Sequence, residues 1–481
     1  MTNQNETPIY DAIQQYIKNR IVSFDVPGHK QGKGHKDLVE AFGTKCISMD
    51  LNSSKPLDNL THPTSSIRRA EDLAAEAFNA GHAFLILNGT TAAVQNMIFY
   101  CCRKNDKIIL PRNVHKSVIN AMVICGAEPV YINPGVNTEF GISLGMSIED
   151  IKKTVRDNPS AKAILVNNPT YYGICSNLKE IVRIAHNAGM LVLVDEAHGT
   201  HLYFGDDLPI SGMEAGADIA AVSIHKTGGS LTQSSMLLVS DKIDAEDMRQ
   251  TINLTQTTSG SYLLMASLDI ARKNLFLNGK DIFKKVCNLA EYARNEVNKI
   301  GGFRAFGNEI INGDTVYAFD KTKLSIHTRA MGLAGIEVYD ILRDEFGIQI
   351  EFGDIGNILA IISVGDRELE IERLLGALSE IHRRFRKEPM NMLEHEYINP
   401  LVIMSPQKAF YSKKRALPIE DSAGHISAEL VMAYPPGIPV LAPGERITEE
   451  IIDYVRYAKE KGCAMMGTKD ETMNNIETVE E

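Results

Sequence analysis

Seven short, uninterrupted apolar runs separated by helix-patterned segments constrain this chain more than any other feature. They lie at 83–87, 107–110, 129–132, 163–166, 191–194, 219–222 and 236–239. Helical periodicity precedes the first run at 65–79 and recurs at 92–100, 117–124, 148–156 and 178–188. Apolar runs without alternation belong to strands buried on both faces, and their alternation with helices predicts a mostly parallel, seven-stranded α/β sheet. Such sheets hold ligands at the carboxyl ends of their strands. The polar motifs of this chain fall at those ends.

Downstream, 263–278 and 282–300 read as two long helices. A smaller α+β unit follows, with strand-like segments at 316–319, 348–351 and 359–362 and a periodic helix over 366–385. The expected division is an N-terminal arm (1–60), a large domain (61–300), a small domain (301–388) and a C-terminal domain (389–481). The last contains a proline-rich stretch at 433–439 and an acidic, Asn-containing tail beyond Lys469 that is expected to fray. At 481 residues the chain is too long for one small core.

A net charge of −11 with no basic block argues against nucleic acid as a partner. No apolar run is long enough to cross a membrane, and the polar N-terminus has no signal-peptide core, so a cytoplasmic location is expected. The seven cysteines are scattered without a CxxC pair, which suits reduced thiols.

The chemistry concentrates after three of the runs. Ile219–Val222 leads into Ser223-Ile224-His225-Lys226-Thr227-Gly228-Gly229, then a hydroxyl-rich segment to Ser235. A lysine just past a buried strand is desolvated, which makes its amine a usable nucleophile toward an aldehyde. The run 191–194 ends in Asp195-Glu196-Ala197-His198. A carboxylate there needs a partner, whether a cationic ligand atom or a helix N-terminus it caps. Asn88-Gly89-Thr90-Thr91 opens a helix after the first run, and such a terminus suits an anion, although Thr there also suits an ordinary cap. His198 and His201 with Glu196 lack the order and the third ligand of a zinc site, so no metal is expected.

Ser223, His225, Lys226, the small residues after it, Thr232, Gln233, Ser234 and Ser235 together resemble the lysine-attachment signature of the bacterial ornithine/lysine/arginine decarboxylases. These are pyridoxal 5'-phosphate (PLP) enzymes with the aspartate-aminotransferase fold, fold type I. The resemblance extends to Pro27-Gly28-His29-Lys30, 110–117, Asn168-Pro169-Thr170-Tyr171 and 422–439, and covers about residues 7–465. It implies that Lys226 carries PLP as a Schiff base and that Asp195 keeps the pyridine nitrogen protonated. It implies that His198 orients Asp195 or lies against the cofactor, and that His115 stacks on its ring. Gly89, Thr90 and Thr91, with Ser223 and His225, would cup the phosphate. The loop 167–173 would line the pocket, 256–259 would face a second subunit, and Glu429 would meet the distal cation of the substrate or form a surface ion pair.

The implied reaction is decarboxylation of a basic L-amino acid to its amine and CO2, feeding polyamine metabolism. Lys226, His225, His115 and Asp195 are the implied catalytic set, with His225 or Lys226 a candidate donor of the α-carbon proton. Arginine is the first expected substrate, then lysine, then ornithine, because the chain is similar to the short Gram-positive-type members. It is expected to lack the response-regulator-like N-terminal domain of the large inducible ones. A homodimer or higher homo-oligomer with active sites at the subunit interface is implied. The alternatives are a PLP aminotransferase, which needs an arginine such as Arg329, Arg343 or Arg367 for the α-carboxylate, a lyase on the same fold, or a non-catalytic PLP-binding relative.

Overall fold

The computed structural model describes residues 3–389, 400–434 and 438–480. Residues Pro435-Pro436-Gly437 of the proline-rich stretch lie outside the described residues. The chain forms two compact units, Met1–Tyr100 with Leu193–Phe283, and Cys101–Val192 with Lys284–Glu481.

All seven expected strands form: β1 (His82–Ile86), β2 (Lys107–Pro111), β3 (Glu128–Ile132), β4 (Ala163–Asn167), β5 (Leu191–Glu196), β6 (Ile219–Val222) and β7 (Ser235–Val239). In the first unit the order is β1-β7-β6-β5, with β6 parallel to β5 and β7 antiparallel to both of its neighbours. In the second unit β2 lies between β4 and β3 and is parallel to both. Every residue of β6 is fully buried, as an unalternating apolar run requires.

The N-terminal segment is tied down within the first unit. Its helix Pro8–Lys18 starts with proline at the first turn and buries Ile9, Ile13 and Tyr16, one face at helical spacing. Arg272, fully buried on the long helix Tyr262–Ile300, donates to the carbonyls of Gln4 and Glu6 and pairs with Asp269 at 2.9 Å. Asp269 in turn accepts the Ile9 N–H at 3.0 Å.

Tyr262–Ile300 is one helix of 39 residues, where the sequence suggested two. Asn278-Gly279 reads as a break, and glycine inside a helix costs about 1 kcal/mol relative to alanine. Here Gly279 lies against Phe204, where a Cβ would come within 2.7 Å of the phenylalanine Cβ. The glycine serves close packing, and the helix passes through it.

The second unit also holds a four-stranded antiparallel sheet in the order Arg304–Ala305, Lys323–His327, Asn357–Ile361, Phe352–Gly353. The expected strand at 348–351 is displaced to Phe352–Gly353, with only the Glu351 N–H joining the ladder, to the Leu359 carbonyl. The tail beyond Lys469 does not fray. Asn475–Val479 pairs with Lys414–Pro418 and buries Ile476, Thr478 and Val479. Its acidic and amide residues conceal a short strand.

In the same unit Arg112 and Glu445 form a buried ion pair at 2.8 Å, side chains 3% and 2% exposed. Arg112 also donates to the carbonyls of Pro439 and Val440, and Glu445 accepts the Ala442 N–H. Burial pushes the Glu445 carboxyl up, and Arg112 opposes that rise. Arg112→Ala leaves a buried carboxyl without its cation, so it is expected to cost about 3–5 kcal/mol. A denaturant titration reads this as a lowered midpoint.

Candidate active site

The first unit brings together most of the side chains singled out in the sequence. Lys226 lies in the turn of helix Ile224–Thr227, directly after β6. Its Nζ is 2.9 Å from His198 Nε2. An ammonium at Lys226 donates to that nitrogen, which places the neutral ring's proton on Nδ1. His198 follows β5 by two residues and is 5% exposed.

Asp195, on β5, is buried beside them and accepts the Ala197 N–H at 3.2 Å. Burial raises its carboxyl above the ordinary range, and the charge of Lys226 and the Ala197 N–H pull it back. His225 points elsewhere: Nδ1 lies 2.9 Å from the Ser234 carbonyl. A carbonyl only accepts, so Nδ1 carries the proton. Burial lowers the pKa of this ring, leaving it neutral with Nε2 as an acceptor at neutral pH.

A cluster of hydroxyls lies at the end of the same strands. Thr90 Oγ1 bonds Ser223 Oγ and is 2.6 Å from Ser235 Oγ. Thr200 Oγ1 donates to the Ser223 carbonyl at 2.9 Å. Gly89 opens the helix Gly89–Cys101 with φ +75°, and a Cβ there would meet nothing closer than the Gln233 carbonyl at 4.0 Å. Thr91 is exposed on the first turn. Open space, free helix amides and converging hydroxyls are the donor set a phosphate takes.

These residues fit PLP. A lysine amine stands beside a buried carboxylate suited to a protonated ring nitrogen, and a separate cradle of hydroxyls and amides suits the phosphate. The sequence reading did not single out Thr200, or give Ser235 a place in the cradle. The spacing of Ser235 from Lys226 gives no sign that a reversed strand returns it to Thr90.

His201 Nδ1 lies 3.2 Å from Thr227 Oγ1, while His198 meets Lys226, so the two histidines face different partners. Gln256, expected in a subunit-facing loop, donates to the Leu85 carbonyl at 2.8 Å and is buried, whereas Thr258 and Ser259 are exposed.

The remaining sequence candidates lie in the second unit. His115 caps the helix Lys116–Cys125: its Nδ1 accepts the Ser117 N–H at 3.2 Å and is 2.9 Å from Ser117 Oγ. Accepting through Nδ1 fixes the neutral ring's proton on Nε2. In the loop 167–173, Asn167 donates to the Asn113 carbonyl and the Tyr172 hydroxyl bonds Asp354. Glu429, expected on a substrate cation or in a surface ion pair, instead accepts the backbone N–H groups of Lys469 (2.7 Å) and Glu477 (2.8 Å), one at each oxygen. It ties down the C-terminal strand. Arg343 and Arg367, considered for an aminotransferase, are held in ion pairs with Asp340, Asp344 and Glu370.

The architecture is that of the fold type I PLP enzymes. The solved lysine decarboxylase of Francisella novicida superimposes with a TM-score of 0.86 at 22% identity, covering 98% of this chain and 81% of that one. Residues 7–370 match the Orn/Lys/Arg decarboxylase major domain and residues 390–473 its C-terminal domain. The chain belongs to the Orn/Lys/Arg decarboxylase family. It is 43% identical to the arginine decarboxylase of Bacillus subtilis (strain 168), over 100% of this chain and 99% of that protein. It is 23% identical to the inducible lysine decarboxylase of Escherichia coli (strain K12), over 96% of this chain and 78% of that one. The chain is thus a decarboxylase. Among the described residues no helix is long and apolar enough to cross a membrane.

Proposed function

We propose that this protein is a PLP-dependent decarboxylase of L-arginine, releasing CO2 and agmatine as a cytoplasmic enzyme of polyamine metabolism. The observation that carries this is the placement of Lys226 Nζ on His198, beside the buried carboxyl of Asp195 and near a separate hydroxyl cradle. PLP, when bound, supplies an electron sink for the pair released as CO2 departs. Lys226 would hold the cofactor through its Nζ. Asp195 holds the proton of the ring nitrogen, and burial keeps water from competing for it. His198 orients Lys226 through its Nε2. Thr90, Ser223 and Ser235, with the amides of the Gly89 helix, bind the phosphate. His225 or Lys226 would deliver the α-carbon proton; His225 is neutral and held through Nδ1 by the Ser234 carbonyl, so it would first take up a proton at Nε2.

Arginine is preferred over lysine because the relatives with high identity over their full length are named arginine decarboxylases, while those named lysine decarboxylases are far more distant. His115 is assigned to the cofactor ring on sequence resemblance, and a homodimer with shared sites is proposed on the same ground. The test is an amine-product assay. PLP-loaded protein given arginine, lysine and ornithine separately should yield agmatine as the dominant product, read by mass. Cadaverine or putrescine in excess would reassign the substrate, and keto acid without amine would reassign the reaction.

A further inference from the structure

Thr200, His201 and Thr227 are all buried, and the reaction as described above uses none of them. They close two bonds around the short element that carries Lys226. That element, Ile224–Thr227, is a single helical turn with little hold of its own. The Gly228 N–H bonds the Ile224 carbonyl at 2.8 Å, and the Lys226 N–H bonds the Ser223 carbonyl at 3.2 Å. One turn fixes several dihedrals for one or two bonds, so it is marginal by itself. The rest of its hold comes from the 3-10 turn Thr200–Tyr203, which follows β5. Thr200 Oγ1 donates to the Ser223 carbonyl at 2.9 Å, three residues before Lys226. His201 Nδ1 lies 3.2 Å from Thr227 Oγ1, one residue after it. The two turns are in close contact, since a Cβ on Gly228 would lie 3.0 Å from Thr200 Cγ2. Two residues before Thr200, His198 meets the lysine Nζ itself at 2.9 Å. Apolar side chains would fill the same space without burying polar groups. They would not fix direction, which a hydrogen bond does.

We propose that Thr200 and His201 are positioning residues that act through the Ser223–Thr227 turn: gripping it before and after Lys226, they fix where Nζ stands. This rests on the assignment of Lys226 to PLP. Attachment forms a C=N bond between Nζ and the aldehyde carbon and releases one water, so its rate follows how closely Nζ is held to that carbon. A small rotation of the turn is amplified along the four-carbon side chain of the lysine. Misplacement by about 1 Å can cost about 10²-fold in such a step. Residues that lock a reactive side chain from behind are what keeps it within that tolerance.

The experiment adds PLP to cofactor-free protein and follows the rise of the visible band at increasing PLP concentration. The limiting rate at saturation reports placement of Nζ, and the half-saturating concentration reports binding of the cofactor. Thr227→Val keeps the shape of the side chain and removes only the hydroxyl that meets His201. Its limiting rate should fall by about tenfold or more, and Thr227→Ser, which restores the hydroxyl, should recover most of the loss. His201→Asn and Thr200→Val should fall in the same way, with Tm of each cofactor-free variant measured alongside. If the asparagine variant fails to fold, the two valine variants decide. Limiting rates at the wild-type value in folded variants, with only Tm lowered, would overturn the proposal and leave these bonds structural ties. A loss at Thr227→Val that serine does not reverse would overturn the role of the hydroxyl. A wild-type protein that shows no visible band with PLP would instead overturn the assignment of Lys226 itself.

Discussion

Lys226→Ala should lose amine release by on the order of 10⁴-fold or more, since removing a covalent nucleophile forfeits most of the chemistry of its site. The visible band of PLP-loaded protein should vanish with it. The fold should survive, because Lys226 is half-exposed and its bond to His198 is local. Soluble variant that still released amine at the wild-type rate would refute the assignment of Lys226. A variant with unchanged Tm and no visible band locates the loss at the cofactor and not in the fold.

Asp195→Asn should separate activity from stability. Turnover should drop by about 10²–10³-fold, the scale of removing one preorganised electrostatic partner. The cofactor-free variant should melt higher than the wild type near neutral pH. Burial holds the Asp195 carboxyl above its ordinary range. A carboxyl raised in the folded state stabilises the fold while protonated. That contribution disappears as pH rises from the unfolded value through the folded one. Asparagine avoids the cost of ionisation, so the gain in Tm should be larger at about pH 7.5 than at about pH 5. Differential scanning calorimetry at both pH values checks the sign. Equal melting in both conditions would show that Asp195 is already solvated or paired without the cofactor.

The seven strands were legible because each is a continuous apolar run bounded by polar residues, a pattern that survives without knowledge of neighbours. The Lys226 turn and Asp195 were legible because both stand at the ends of such runs. The long helix was misjudged at Gly279, whose reason for being there is Phe204, 75 residues earlier. The C-terminal strand was missed because its alternation of Ile476, Thr478 and Glu477 is short and lies in an acidic context. Glu429 looked like a cation ligand because a sequence does not reveal which backbone amides will close on a carboxylate. Glu196 was weighed only as a metal ligand; its true neighbours, Tyr203 and the Gly212 amide, are set by a turn whose course no local pattern records.

The direction of a single strand decides the chemistry of the phosphate cradle. Because β7 runs against β1 and β6, it is its first residue, Ser235, that registers with Ile86 at the end of β1, next to Met236 opposite Val222. One short connection between β6 and β7 therefore supplies Ser223, Lys226 and Ser235 to the same edge. Were β7 entered by a crossover helix, as parallel strands require, its far end would arrive there instead. Val239 would stand where Ser235 does, and one wall of an anion site would be hydrocarbon. Polarity of a strand, which no hydropathy profile records, is here a determinant of ligand chemistry.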